Sequence, residues 1–214
     1  MRRTRDENEE APSEERAQKK MLELNQEGKY FDFTFTVQDE NFYVSKLVLS
    51  TISPYFANKF EADWKLEDSV DLKQKHSVEA FSTMIEYIYT YNYEQHTGWL
   101  FDFEPSELVA FHFELCHMAE EYEVHSLKEQ VLADLPSAVK TLDCPVDLYD
   151  LLVGGQYISD SESGKLFVAT VADNFHIMDA FADLDRVKLF LAKTPIFAAD
   201  LISELMERRM LNDH

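Results

Sequence analysis

The stretch Asp32–Tyr93 decides the fold; it reads DFTFTVQDENFYVSKLVLSTISPYFANKF (32–60), EADWKLEDSVDLKQKH (61–76) and SVEAFSTMIEYIYTYNY (77–93). Its first part alternates apolar Phe33, Phe35 and Val37 with threonines, which is typical of a strand with one buried face. Turn-prone residues 38–41 then lead into a second short alternating run. This pattern predicts a β-hairpin.

Directly after the hairpin the apolar spacing changes from two residues to the three or four of a helix. Leu47–Leu49 predict a first helical turn, and Ser53-Pro54 predicts the start of a second helix, with a capping hydroxyl and a proline at its first position. Residues 70–72 predict a third short strand. Ser77 then caps a helix with apolar residues at helical spacing. The order is therefore hairpin, two helices, strand, helix.

This ordered set of signals resembles a BTB/POZ domain, over roughly residues 29–135. The matching positions are Asp32, Lys46 with Leu49, Ser53-Pro54-Tyr55-Phe56, Val70-Asp71-Leu72, Glu86-Tyr87-Ile88-Tyr89-Thr90, and Ala119-Glu120-Glu121-Tyr122-Glu123-Val124 with Leu127. The family's histidine before the basic residue is Ser45 here. A contact that depends on that imidazole is therefore not expected.

The resemblance implies an α/β (α+β) fold, with a small three-stranded sheet flanked by helices and a helical C-terminal extension. We expect a disordered N-terminus at 1–15, the BTB/POZ domain at 16–135 and the helical extension at 145–214. Within the domain, a weak apolar stripe predicts a helix at 15–26, and residues 92–105 suggest a surface connection or a short edge strand around Trp99.

Charge is the sharpest compositional feature: the chain has 41 acidic and 20 basic residues, a formal net charge of −21. Such a surface repels phosphate, so neither direct nucleic-acid binding nor binding to anionic membranes is expected, and basic partners are favoured. The acids could equally serve solubility alone. No apolar run is long enough to span a bilayer, and two cysteines, Cys116 and Cys144, suggest reduced thiols. These features predict a soluble intracellular protein, cytoplasmic or nuclear or both.

No residue pattern predicts catalysis, a metal site or a cofactor. Gly154-Gly155 lacks the remainder of a phosphate-binding loop, and no nucleophile elbow or His-Glu-x-x-His is present. Helical spacing puts His112, Cys116 and Glu120 on one face, but a zinc site needs more convergent ligands, so packing is the alternative explanation. The sequence therefore predicts a protein that is not an enzyme.

Two groups of residues are candidate binding sites. Asp32 and Lys46 correspond to the positions that line a charged pocket in the family, and they could instead form an ion pair that fixes the hairpin on the helix. In cullin-adaptor BTB domains, a hydrophobic-x-acid motif precedes the third strand and an aromatic residue lies beside it. The resemblance transfers that role to five candidate residues: Phe60, Trp64, Leu66, Glu67 and Tyr122. Trp64 could equally fold back into the core.

The resemblance implies a protein-protein interaction module, and two hypotheses follow. The first is a substrate-adaptor-like subunit that docks a cullin-3 type E3 ubiquitin ligase. The alternative is a self-associating scaffold or transcription-regulator module that contacts no cullin. Partners would be proteins, including cullin-3 and a second copy of the chain.

Overall fold

The computed structural model describes residue 20 and residues 30–92, 103–142, 148–149, 151–152, 154–155, 157–174 and 184–212. The expectations for the N-terminus, for most of the helix at 15–26, for Trp99 and for Cys144 lie outside these residues. The domain boundaries at 15, 135 and 145 remain predictions.

The predicted hairpin is present and forms two thirds of a small sheet. Strand β1 (Phe33–Val37) pairs antiparallel with β2 (Glu40–Val44), and it pairs parallel with β3 (Ser69–Lys73), so β1 is the central strand. The apolar residues of β1 are fully buried while its threonines are half-buried. The alternation in the sequence thus becomes one core-facing side of the sheet.

Three helices continue this part of the fold: α1 (Lys46–Ile52), α2 (Pro54–Glu61) and, after β3, α3 (Val78–Thr90). The Ser53 hydroxyl caps α2 by accepting from the Phe56 N–H at 3.1 Å, and the Ser77 hydroxyl caps α3 by accepting from the Ala80 N–H at 3.2 Å. Both serines satisfy N–H groups that have no partner inside the helix. The helix starts predicted at Ser53-Pro54 and at Ser77 are confirmed.

Five further helices are described over their whole length, and residues 148–149 and 151–152 are helical as well. A proline or a capping side chain begins most of these five helices. They are α4 (Pro105–Glu121), α5 (His125–Val139), α6 (Glu162–Asp173), α7 (Leu184–Lys193) and α8 (Pro195–Asn212). Glu104 and Glu107 form a capping box at α4, and the Ser161 hydroxyl caps α6 by accepting from the Gly164 N–H at 3.0 Å. The described part of the C-terminal extension is thus helical, as predicted.

The described residues form two apolar clusters, which α4 and α5 connect. The first cluster joins the sheet, α1–α3 and one side of the α4–α5 pair. The second joins the other side of that pair, through Val109, Phe113 and Val139 among others, to α6, α7 and α8. Phe113 lies 5.4 Å from Phe167 of α6, measured between ring centroids. The extension therefore packs on the α4–α5 pair and shares a core with it.

Close packing of α6 depends on Gly164 in its first turn. A Cβ atom at this position would lie 2.1 Å from the Ile158 carbonyl oxygen, well inside van der Waals contact. Glycine thus lets the incoming loop cross the start of α6. At the start of the same helix, the Lys128 ammonium of α5 lies 3.1 Å from a Glu162 carboxylate oxygen.

Candidate protein-binding surface

The loop between α2 and β3, residues 62–68, is fixed to the body of the protein by Trp64. The Trp64 N–H donates to the Lys59 carbonyl oxygen at 2.8 Å. Its half-buried ring lies against four aromatic rings of the first core, at centroid distances of 5.8 to 6.2 Å: Phe33, Phe35, Tyr55 and Phe60. Trp64 thus folds back onto the core.

Because Trp64 points inward, the residues after it are turned outward. Leu66 is 92% exposed, and Glu67 beside it is also exposed. The Glu67 N–H donates to the Trp64 carbonyl oxygen at 3.3 Å, so the backbone of the loop closes a turn behind Leu66. Leu66 is thus an exposed leucine on a turn whose backbone is held in place.

Lys46 connects the same loop to the hairpin. Its ammonium donates to the Glu67 carbonyl oxygen at 2.7 Å, and it lies 4.9 Å from the ring centroid of Phe33 and 5.7 Å from that of Phe60. A cation over an aromatic face is stabilised by the ring's electron density. One lysine therefore holds the loop, the first strand and α2 together.

Asp32 meets Lys46 through the main chain and not through the expected ion pair. An Asp32 carboxylate oxygen accepts from the Lys46 N–H at 2.7 Å, at the first residue of α1. The Ser45 side chain caps nothing there, so the carboxylate supplies the acceptor and lies at the positive end of the helix dipole. Asp32 thus fixes the start of α1, while the Lys46 ammonium contacts the loop at residues 62–68.

Tyr122, predicted beside the loop as a partner-contacting aromatic, lies inside the core. Its ring is 1% exposed and stacks on Phe56 at a centroid distance of 5.1 Å. Its carbonyl oxygen accepts from the Ser53 hydroxyl at 2.5 Å. Phe60 is also buried. In this structure Tyr122 and Phe60 support the surface from beneath, and of the five candidates Leu66 and Glu67 form the exposed part.

The Tyr122 hydroxyl has a buried partner in His76, at 2.9 Å from the imidazole Nε2. Burial lowers the pKa of His76, although the Glu121 carboxylate, 3.9 Å from Nε2, acts against this shift. Burial likewise raises the pKa of Tyr122. Both groups are therefore neutral at pH 7, and the imidazole nitrogen can accept the phenolic hydrogen.

A second exposed apolar group lies around the start of the hairpin and of α1. The Phe31 and Tyr43 rings are 4.8 Å apart between centroids and both are exposed. Leu47, the second residue of α1, is 73% exposed, and Tyr30 is exposed as well. We call these four residues the hairpin patch. Their exposure was not predicted from the sequence, because alternation assigns Tyr43 to the outer face without showing which of its neighbours accompany it.

The helical spacing of His112 and Cys116 does not produce a metal site. The His112 Nδ1 lies 2.8 Å from the Leu108 carbonyl oxygen, and Cys116 is a buried free thiol whose pKa is raised by burial. Within the described ranges no group of three or more His, Cys, Asp or Glu side chains could hold a metal ion. Nor is any described helix long and apolar enough to cross a bilayer.

Comparison with known families identifies this architecture. The family model described as "BTB/POZ domain" matches residues 21–137, more than half of the chain. The chain belongs to the BTB/POZ family. A BTB domain is a protein-protein interaction module, and members of the family are typically not enzymes. The resemblance seen in the sequence is confirmed.

Two solved BTB structures are similar to this chain. The BTB domain of zebrafish PATZ1 is 17% identical, with a TM-score of 0.43, and the match covers 57% of this chain and 91% of that one. The BTB (Tramtrack and Bric a brac) domain of human gigaxonin is 14% identical, with a TM-score of 0.42, covering 62% of this chain and 95% of that one. No curated protein matches the sequence.

Proposed function

We propose that this BTB protein is a substrate-adaptor-like subunit that docks a cullin-3 type E3 ubiquitin ligase scaffold through Leu66 and Glu67. The observation that carries the proposal is the exposure of Leu66 on a turn whose backbone is held at both ends. Trp64 and Lys46 anchor that turn on the core. Preorganisation of this kind lowers the entropic cost of binding.

The chemistry of the turn supports a small contact with an apolar centre. Leu66 offers an aliphatic side chain to a pocket, and Glu67 beside it offers a carboxylate to a donor on the partner. Phe60 and Tyr122, assigned to the contact by the resemblance, would act by shaping the core beneath the turn. The most direct test is therefore a substitution at Leu66, since Leu66 can change without disturbing the core.

We expect Leu66→Asp to weaken binding to a purified cullin-3 N-terminal domain by about 30-fold, because an anchoring side chain at the centre of an interface contributes about 2 kcal/mol. Isothermal titration calorimetry on the full chain measures the change. Leu189→Asp on α7 is the matched control, since Leu189 is an exposed leucine outside the turn. Unfolding temperatures of both variants should equal that of the parent chain.

A parent chain that shows no binding at tens of micromolar would contradict the cullin proposal, since modest interfaces register in that range. Equal weakening by Leu66→Asp and Leu189→Asp would contradict the assignment of the site. If neither substitution changed the affinity, the cullin-3 domain would bind a different surface of the protein.

The hairpin patch supports a second candidate function, a self-associating scaffold. Its four residues are large, apolar and exposed, and the Phe31 and Tyr43 rings are in contact. Exposed apolar groups commonly mark protein contacts. In a self-associating scaffold, the hairpin patch would bind a second copy of the chain. Binding to a cullin is then not required.

We expect Leu47→Asp to shift a dimer toward monomer, raising the dimer dissociation constant by about tenfold. Light scattering coupled to size exclusion, over a range of concentrations, measures this. Leu66→Asp should leave the mass unchanged. The self-association hypothesis would be refuted if the parent chain stayed monomeric at a protein concentration of about 100 µM. It would also be refuted if Leu47→Asp did not weaken the dimer.

A further inference from the structure

The last helix, α8, carries exposed apolar residues next to its buried apolar face. Phe197 and Leu201 are buried against the second core. At about 100° per residue, Ile202 lies about 100° around the helix from Leu201, and Met206 lies about 180° from Phe197. Ile202 and Met206 are 54% and 61% exposed. Single exposed apolar residues are ordinary, but two such positions four apart form a continuous stripe.

The stripe extends along most of the helix. Ala199 is exposed between its members, and Ile196, at the start of α8, is exposed on its edge. An apolar surface that extends beyond the buried face of a helix can contact a further partner. Here one side is covered by α6, and the outer side faces solvent. We call Ile196, Ala199, Ile202 and Met206 the α8 stripe.

One flank of the stripe is acidic. A cavity of about 290 Å³ lies between α8, α6 and the loop that precedes α6, and its carboxylates come from Asp160, Asp200, Glu204 and Glu207. Lys165 is the cation in its lining. Two of the acids already have partners: the Tyr157 hydroxyl donates to Asp200 at 2.5 Å, and Arg208 donates to Glu204 at 2.7 Å. Asp160 and Glu207 are both exposed to solvent.

These charges distinguish two possible binding partners of the stripe, a second copy of the chain and a different protein with basic residues. Asp200 and Glu207 lie on the same flank of α8. An antiparallel pair of α8 helices around Ile202 and Met206 would therefore bring Asp200 of one copy toward Glu207 of the other, and the repulsion would add to that of two chains of charge −21. A partner with basic residues beside an apolar face has the opposite charge where this chain is acidic.

We propose that the α8 stripe docks a basic amphipathic helical segment of another protein. Apolar side chains at three- and four-residue spacing would lie on Ile202 and Met206, and a lysine or arginine beside them would reach the cavity carboxylates of Asp160 and Glu207. Helices commonly dock on apolar surfaces in this way. The proposal is independent of cullin binding, because α8 packs on the second core and the Leu66 turn on the first.

The test uses the full chain and a fluorescein-labelled 18-residue synthetic helix, with leucines on one face and lysines on the flanks. Its twin carries glutamates in place of the lysines. We expect the basic peptide alone to bind, as measured by fluorescence anisotropy at near-physiological salt. Met206→Asp should weaken that binding about tenfold, and Glu207→Lys about threefold or more. Leu66→Asp, an exposed leucine elsewhere, should leave it unchanged.

Several results would overturn the proposal. The basic peptide could fail to bind, or the acidic peptide could bind as tightly as the basic one. If Met206→Asp bound the basic peptide as tightly as the parent chain does, the attraction would be to net charge alone. A dimer of the chain that Met206→Asp dissociates would assign the stripe to a second copy. Tenfold tighter peptide binding after Arg2, Arg3 and Arg5 are changed to Glu would assign it to the chain's own N-terminal segment. Circular dichroism confirms that each variant is folded.

Discussion

Tyr122→Ala should lower the free energy of unfolding by about 4 kcal/mol, as expected when a buried aromatic side chain is removed from a core. The ring packs against four neighbours, with centroid distances between 5.1 and 6.4 Å: Tyr55, Phe56, His76 and Phe81. Its loss leaves a cavity at the point where α2, α3 and α4 meet, and it leaves the His76 nitrogen without its phenol. Urea unfolding followed by tryptophan fluorescence measures the change.

Tyr122→Phe separates the ring from its hydroxyl. It keeps the packing and removes one buried hydrogen bond, so it should cost about 1 to 2 kcal/mol. Costs that are equal for the two variants would show that the ring contributes little beyond its hydroxyl. A Tyr122→Ala variant less than 1.5 kcal/mol below the parent chain would contradict the central position assigned to this residue.

A chain that ends after Leu142 should not give a stable soluble monomer. It would uncover the side of α4 and α5 that packs on the extension, which includes Val109, Phe113 and Val139, all fully buried in the intact chain. Exposing side chains of this size costs about 1.5 to 3 kcal/mol each. The total is on the order of the stability of a whole domain. Solubility, elution volume and urea unfolding measure the loss.

The same truncated chain with Phe113→Gln and Val139→Lys is the control. These changes make the uncovered side polar, so they should restore solubility if the uncovered surface is the cause. A truncated parent sequence that is monomeric and as stable as the full chain would contradict the shared core. Truncation that abolishes folding even with the polar face would place the defect inside the first core.

The sequence predicts the local parts of this fold well. Strict alternation from Phe33 to Val37 identifies β1, and Ser53, Pro54 and Ser77 mark helix starts, because a capping hydroxyl or a proline acts within one turn of the chain. The order of these elements was sufficient for the family. The dependence of α1 on Asp32 was not predicted, since that carboxylate reaches a main-chain N–H 14 residues away.

The candidate site was predicted less completely, and the reason is again the distance along the chain. Trp64 and Leu66 are two large apolar residues in one polar loop, and nothing local distinguishes the one that folds inward from the one that faces solvent. Tyr122 ends an amphipathic helix, where the sequence pattern does not separate a buried ring from a contact residue. The core shared by Phe113 and Phe167 joins residues more than 50 positions apart, so no periodic pattern reveals it.

Lys46 holds the turn at residues 64–67 in place without contacting the side chains that this turn exposes. Its ammonium is bound by the Glu67 carbonyl and two aromatic faces, so none of its contacts involves the side chain of Leu66 or of Glu67. Substitutions at these two positions should therefore change the exposed surface of the turn without a penalty in folding. Such a turn is free to diversify during evolution, and it could equally serve as a grafting position for engineered recognition loops.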